Sequence, residues 1–339
     1  MIHAFRVPAG FPFSILAFSL LLLTVGSSAF GQVDDVLRVE SNLVQLNVGV
    51  VNRQGHPITT LSKNDFAVFE NGVQQSINSF ETTDRPFSLV LLLDVSGSTI
   101  TFRDTFKQAA YRFLDALGPD DRVEVVAFNE KIKTISPFTT NRRKTADAIY
   151  MADGKGQTHF YQALSYAIGE LSKEGSRRKA IVVMTDGIDT NLRLVDRAAA
   201  ANATTDVDAV AAIKPDASSE LQSVLAAADK QGVTIYPLAL PSGDPSRLAL
   251  PDPQIIAVYT SARSRLEILA NRTGGQLTAI KRLDELARVY ANVAADLRTL
   301  YTISYQPKGS ASTSGWRTVR IEVAQPDLIA RTKPGYLAK

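Results

Sequence analysis

Ser88-Leu89-Val90-Leu91-Leu92-Leu93-Asp94-Val95-Ser96-Gly97-Ser98 is an unbroken apolar run that closes on a carboxylate and two hydroxyls at alternate positions. A run of Leu and Val without polar alternation suits a strand buried on both faces of a parallel sheet. Sites in such sheets lie beyond the carboxyl ends of the strands, where Asp94 stands. In a tight Gly-containing turn, Asp94, Ser96 and Ser98 can point oxygens at one hard cation, because Mg²⁺ and Ca²⁺ take carboxylate, hydroxyl and water oxygens. Alone, D-x-S-x-S is a common pattern whose ordinary reading is a serine capping the next helix. A cation site needs further ligands from elsewhere in the chain.

The length of 339 residues allows two domains and a substantial core. Lys and Arg number 37 against 34 Asp and Glu, for a net charge of +3. No stretch clusters the basic residues that phosphate binding requires, so nucleic acid is not an expected partner. There is no cysteine, which excludes disulfides, thiolate metal sites, a Cys nucleophile and a lipid-modified Cys. At the amino terminus, His3 and Arg6 precede the apolar run Phe13 to Val25, and small residues follow from Gly26 to Gly31. This is the pattern of a secretory signal peptide over residues 1–31, cut after Ala29 or Gly31. The run is shorter than the ~20 residues of a spanning helix, so membrane contact is expected only if the leader persists as an uncleaved anchor. The rest of the chain is expected to be exported, whether to periplasm, envelope or extracellular space.

Residues 32–85 read as β. Val44, Leu46, Val48 and Val50 alternate up to the turn cluster Asn52 to Gly55. Phe66 to Glu70 meets Asn71-Gly72 and returns as Val73 to Phe80, and Asn-Gly between two such runs is a strong hairpin signal. From Pro86 to Tyr301, strands alternate with helices. Strands are expected at Ser88–Asp94, Arg122–Asn129, Ala180–Asp186, Val233–Leu240 and Gln276–Ile280. Helices are expected at Phe102–Leu117, Asn141–Met151, Phe160–Leu171, Ser219–Gln231, Arg263–Asn271 and Leu283–Leu300. The alternation predicts an α/β fold with a doubly wound, mostly parallel sheet. Lys131 to Phe138 adds one antiparallel edge strand. Two stretches break the repeat, the Ala-, Asp- and Thr-rich 189–218 and the proline-rich 241–262. Both are expected to emerge on the rim that bears Asp94, either as solvated insertions without a role or as segments that cover or reshape the site. Residues 302–339 return to β character. That tail and the amino-terminal β segment are each too small for a core, so they are expected to pair as a small β-sandwich with the α/β domain inserted between them. Trp316, Tyr301 and Tyr305 are expected in its core.

Asp186 ends the second buried strand on the rim of Asp94, and Gly156-Gln157-Thr158-His159 opens a helix beside it. With these pieces the segment 86–301 resembles the von Willebrand factor type A domain. Asp94-x-Ser96-x-Ser98, Thr158 in its Gly-x-Thr context and Asp186 in Thr-Asp-Gly match the metal-ion-dependent adhesion site of that family, in the family's order. Asp65-Phe66, Asn71-Gly72 and Gly335-Tyr336 resemble a bacterial secreted group with this domain. The resemblance implies Mg²⁺, with Mn²⁺ or Ca²⁺ as alternatives, bound through the hydroxyls of Ser96, Ser98 and Thr158. Asp94 and Asp186 would act partly through bound water, leaving the ion enough positive charge to take a partner protein's Asp or Glu carboxylate.

Two other readings compete. Ser96 or Ser98 with His159 and Asp186 could be written as the nucleophile, base and orienter of a hydrolase, but no Gly-x-Ser-x-Gly elbow is present and Asp94 has no place in that scheme. A structural subunit of an envelope or secretion assembly, with a metal that only stabilises the rim, keeps the fold and drops the adhesion. Gly154-Lys155-Gly156 lacks both the Walker spacing and a preceding strand, so it is not a nucleotide loop. The sequence thus reads as a protein-binding, adhesion-type module rather than an enzyme.

Overall fold

A computed structural model describes residues 43–338 apart from 55, 83–84, 249–251 and 309–314. The expected signal peptide and the start of the first β segment lie outside the described residues. The chain opens with strands β1 (Val44–Asn52), β2 (Phe66–Glu70), β3 (Val73–Gln75) and β4 (Ile77–Glu81). The α/β portion follows as β5 (Phe87–Asp94), α1 (Arg103–Asp115), β6 (Arg122–Phe128), β7 (Ile132–Thr139), α2 (Arg142–Met151), α3 (Phe160–Ser172) and β8 (Arg178–Thr185). It continues through α4 (Thr190–Ala199), α5 (Asp206–Ala212), α6 (Ser219–Gln231), β9 (Val233–Ala239), α7 (Pro253–Thr273), β10 (Thr278–Ala279) and α8 (Leu286–Thr299). Strands β11 (Leu300–Tyr305), β12 (Gly315–Val323), β13 (Leu328–Arg331) and β14 (Gly335–Ala338) complete it.

The central sheet has the order β10-β9-β8-β5-β6-β7, with every neighbouring pair parallel except β6 and β7. Every residue of β5 is buried, as its unbroken apolar run requires. Because side chains alternate across a strand, Leu89, Leu91 and Leu93 join one core with α1, α2 and α8. Val90 and Leu92 join the other with α3, α6 and α7. Truncating one of these leucines to alanine would cost about 2–5 kcal/mol. The expected α/β class, with its mostly parallel sheet and antiparallel edge, is the class observed.

Two antiparallel four-stranded sheets flank it, in the orders β13-β1-β11-β4 and β14-β12-β2-β3. Leu46, Val48 and Ile303 from one sheet and Val68, Val319 and Ile321 from the other share a core, so strands from both ends of the chain bury each other. Asn71 and Gly72 take φ of 49° and 80°, the left-handed pair a two-residue hairpin demands. The strand that returns from this turn is not continuous to Phe80. It breaks after Gln75, so β3 stays with β2 while β4 crosses to pair with β11. The buried Gln75 holds this corner, donating to the Val73 carbonyl at 3.0 Å and accepting the Lys308 N–H at 2.8 Å.

Other sequence expectations need correction. Residues 189–218 are not a solvated insertion: α4 and α5 are built there and pack on α7, held by a bidentate Arg265–Asp196 pair at 2.6 and 2.7 Å in which both residues are buried. Alanine favours helix, and Asp189 and Thr205 cap the two helices, accepting from the Asn191 and Leu192 N–H groups and from the Asp208 N–H. α7 begins ten residues before the expected Arg263 because Asp252 caps it, accepting the Ile255 N–H at 2.7 Å, with Pro253 in the first turn. The Asp-Pro pair that read as loop is a helix start. Trp316 is 42% exposed and stacks under the Arg272 guanidinium, 3.9 Å from the ring centroid, whereas Tyr301 and Tyr305 are fully buried.

Candidate functional site

β5 and β8 are parallel neighbours, with Leu93 level with Met184, so their carboxyl ends emerge together. Asp94 ends the first and Asp186 follows the second, 1% and 2% exposed. Asp94 is held at both oxygens. The Ser96 N–H donates to Oδ1 at 3.0 Å and the Thr185 hydroxyl to Oδ2 at 2.7 Å. Thr185 in turn accepts the Gly187 N–H at 3.0 Å, and Asp186 Oδ1 accepts the Ile188 N–H at 3.0 Å. Gly187, at φ 83°, supplies the left-handed turn that brings the Asp186 side chain round.

Beyond Asp94 the chain enters a 3₁₀ turn, Gly97–Phe102. Ser96 is buried, Ser98 is exposed, and their hydroxyl oxygens lie 3.2 Å apart. The Thr99 hydroxyl donates to the Asp94 and Ser96 carbonyls at 2.9 and 3.0 Å, which fixes the turn from behind. Thr158 is buried in the loop before α3, and that loop joins the Ser96–Ser98 turn through the Gly97 N–H, which donates to the Gly156 carbonyl at 3.1 Å. A second tie runs to the start of α4: the Thr158 N–H donates to the Thr190 hydroxyl at 3.0 Å and the Thr190 N–H to the Thr158 carbonyl at 2.9 Å. Asn129, at the end of β6, holds the same loop by donating to the Lys155 carbonyl at 2.8 Å and accepting the His159 N–H at 3.0 Å.

Burial, then the neighbouring Asp186 charge, pushes the Asp94 carboxyl up to about 7. Burial also raises Asp186, opposed by the Ser98 hydroxyl and the Ile188 N–H. Two buried carboxylates side by side, without a salt bridge among the described residues, are costly as a pair of anions. Hydroxyls converging on them supply neutral oxygens and no compensating charge. The donor set therefore fits a hard divalent cation in oxygen coordination. Among the described residues no group of three or more His, Asp or Glu is placed to hold a metal, so such a cation would rest on two carboxylates, hydroxyls and water.

The five residues singled out from sequence lie at the ends of β5 and β8 and in the two loops tied beside them. His159 precedes α3 as its N-terminal flanking residue. Among the described residues, no hydrogen bond joins it to Ser96. Thr185, Thr99, Arg103 and Thr190 support the site and were not marked from sequence. Thr185 carried one usable signal, since it sits beside Asp94 once the two buried runs are paired in parallel.

Residues 89–188 match the family model described as von Willebrand factor type A domain. The human voltage-dependent calcium channel subunit alpha-2/delta-2 is 32% identical over 115 residues, 30% of this chain and 10% of that subunit. The chain thus spans about a tenth of the length of that relative. A von Willebrand factor type A structure from Catenulispora acidiphila has a TM-score of 0.48 and 13% identity over 88% of this chain and 74% of the other. Proximal thread matrix protein 1 from the mussel byssus, solved with zinc in its MIDAS motif, has a TM-score of 0.46 and 14% identity over 67% of this chain and 49% of the other.

Proposed function

We propose, from the match of residues 89–188 to the von Willebrand factor type A domain model, that the chain is an exported module that binds a partner protein through a divalent cation. Domains of this type are general protein-interaction modules. The cation is Mg²⁺, with Mn²⁺ or Ca²⁺ as substitutes. Ser96, Ser98 and Thr158 would hold it through hydroxyls, and Asp94 and Asp186 through carboxylate oxygens or bound water. When bound, the ion would supply the direct positive partner that this pair of acids lacks among the described side chains and a coordination position for a partner's Asp or Glu.

The observation that carries this reading is the buried pair Asp94 and Asp186, uncompensated by any salt bridge among the described residues and faced by converging hydroxyls. Ser98 is exposed, so the hydroxyl side of the site is open to a macromolecule. No step of the reading uses Ser96 as a nucleophile, and the protein is proposed to be a binder and not an enzyme. Export rests on the leader read at residues 1–31. No helix of the described residues is long and apolar enough to cross a membrane.

Calorimetric titration of Mn²⁺ into the protein tests the metal half, with binding expected in the wild type and abolished by Asp94→Ala. Absence of binding in the wild type refutes it. Water-proton relaxation of the Mn²⁺-loaded protein tests the partner half. An acidic peptide should displace a metal-bound water and lower the signal, while an amidated control peptide should not. Equal effects of the two peptides would leave a metal with a structural role only.

A further inference from the structure

The site is assembled from two separate pieces of chain, the turn 94–99 and the loop 153–158, and one buried side chain bridges them. Arg103 opens α1 and is 9% exposed. One terminal nitrogen donates to the Val95 carbonyl at 3.1 Å and the Ser96 carbonyl at 3.3 Å. The other pairs with the Asp153 carboxylate. Asp153 in turn accepts the N–H of Gly154 at 2.9 Å. The two pieces are also in direct contact at Gly154, where an added Cβ would lie 2.8 Å from Val95 Cγ2 and 2.9 Å from the Val95 carbonyl oxygen.

Resting on the metal-site reading above, we propose that Arg103 is a positioning residue for the cation, acting with Asp153 as a staple that sets the spacing between the Ser96–Ser98 hydroxyls and the Thr158 loop. A guanidinium suits this role because its planar fork serves two carbonyls on one side and a carboxylate on the other, which a lysine ammonium cannot do at once. Thr99 takes the Asp94 and Ser96 carbonyls from the same turn, so Arg103 completes the pinning of three consecutive carbonyls. The charge arithmetic also needs Asp153. An unpaired guanidinium at the edge of the site would repel a divalent cation, and Asp153 neutralises it.

The test is Mn²⁺ titration, well below the melting temperature, of wild type, Arg103→Met, Arg103→Lys, Asp153→Asn and the Arg103→Met/Asp153→Asn double variant. Groups that orient ligands typically change metal affinity by about 10–100-fold when removed. That loss is expected for Arg103→Met, with a partial loss for Arg103→Lys. Asp153→Asn alters a side chain that is 75% exposed, leaving the fold intact, and should weaken binding several-fold. The double variant should be no weaker than Arg103→Met, because Asp153 acts only through the pair. A merely structural arginine would lower the melting temperature and leave the dissociation constant alone. Wild type that binds no Mn²⁺ overturns the metal reading and this assignment with it. Wild type that binds, with an unchanged constant in Asp153→Asn and in whichever Arg103 variants fold, overturns the assignment alone.

Discussion

Replacing Asp94 by Asn should make the metal-free protein more stable above neutral pH and insensitive to magnesium. The native carboxyl titrates at about 7 against 3.8 for an ordinary aspartate, chiefly because it is buried and secondly because Asp186 is near. A carboxyl raised in the folded state keeps a proton over that window which the unfolded chain has released. Its contribution therefore falls as pH rises from about 4 to about 7 and is level above. About three pH units at roughly 1.4 kcal/mol each amount to a penalty of about 4 kcal/mol. The replacement amide could still accept the Ser96 N–H through its oxygen, and its nitrogen could donate to Thr185, which already accepts from Gly187 and has a second lone pair. The Thr185 proton loses its acceptor, at about 1 kcal/mol. A net gain of about 3 kcal/mol remains, roughly 5 °C or more at the sensitivity of larger domains. Thermal melts in EDTA at about pH 8 and about pH 4 read this directly, and the gain should disappear at the lower pH, where only the Thr185 loss of about 1 kcal/mol remains and the variant melts slightly below wild type. Saturating Mg²⁺ at about a hundredfold excess over its dissociation constant should then raise the wild type by about 2.7 kcal/mol and leave the Asp94→Asn variant unmoved. An Asp94→Asn variant that melts below wild type in EDTA at about pH 8 would refute the reasoning, as would a gap that does not change with pH.

Thr185→Val removes the hydroxyl that orients Asp94 and should weaken metal binding about 10–100-fold by calorimetry; unchanged affinity would remove Thr185 from the site. Glu124 is 1% exposed, with Oε1 accepting the Thr134 hydroxyl at 2.7 Å and Oε2 without a hydrogen-bond partner among the described residues. Burial raises its carboxyl above the ordinary 4.5, so its ionisation opposes folding as pH rises. Glu124→Gln should melt higher than wild type above neutral pH and equally in acid, and a lower melting temperature throughout would contradict this. Asp196→Ala strands the Arg265 guanidinium between α4 and α7 and should cost about 3–5 kcal/mol in urea unfolding. Asp196→Leu combined with Arg265→Met should recover most of that loss, and a double variant as weak as Asp196→Ala would show that packing rather than charge is at stake.

The sequence by itself determined the elements whose physics is local. Leu89 to Leu93 has no polar face to offer water, so the run must be a strand covered on both sides. Asn71-Gly72 accepts left-handed backbone, so it must turn. Asp94, Ser96, Ser98 and Asp186 were legible because they terminate such strands, where a parallel sheet opens its rim. Where a feature depends on a partner far along the chain, only the tertiary structure decided it. Asp196 in an Ala-rich stretch looks solvated until Arg265 on α7 closes over it. Val73 to Phe80 looks like one strand until two sheets, each requiring strands from both ends of the chain, pull it apart after Gln75. Trp316 looks like core until Arg272 covers its exposed face. The supports of the site are of the same kind. Thr185 meets Asp94 only because β5 and β8 pair in register, and Arg103 meets Asp153 only because the loop before α3 folds back on the turn after β5. A ligand's identity is chemistry carried by one residue, whereas its orientation is a relation between residues that only folding brings together.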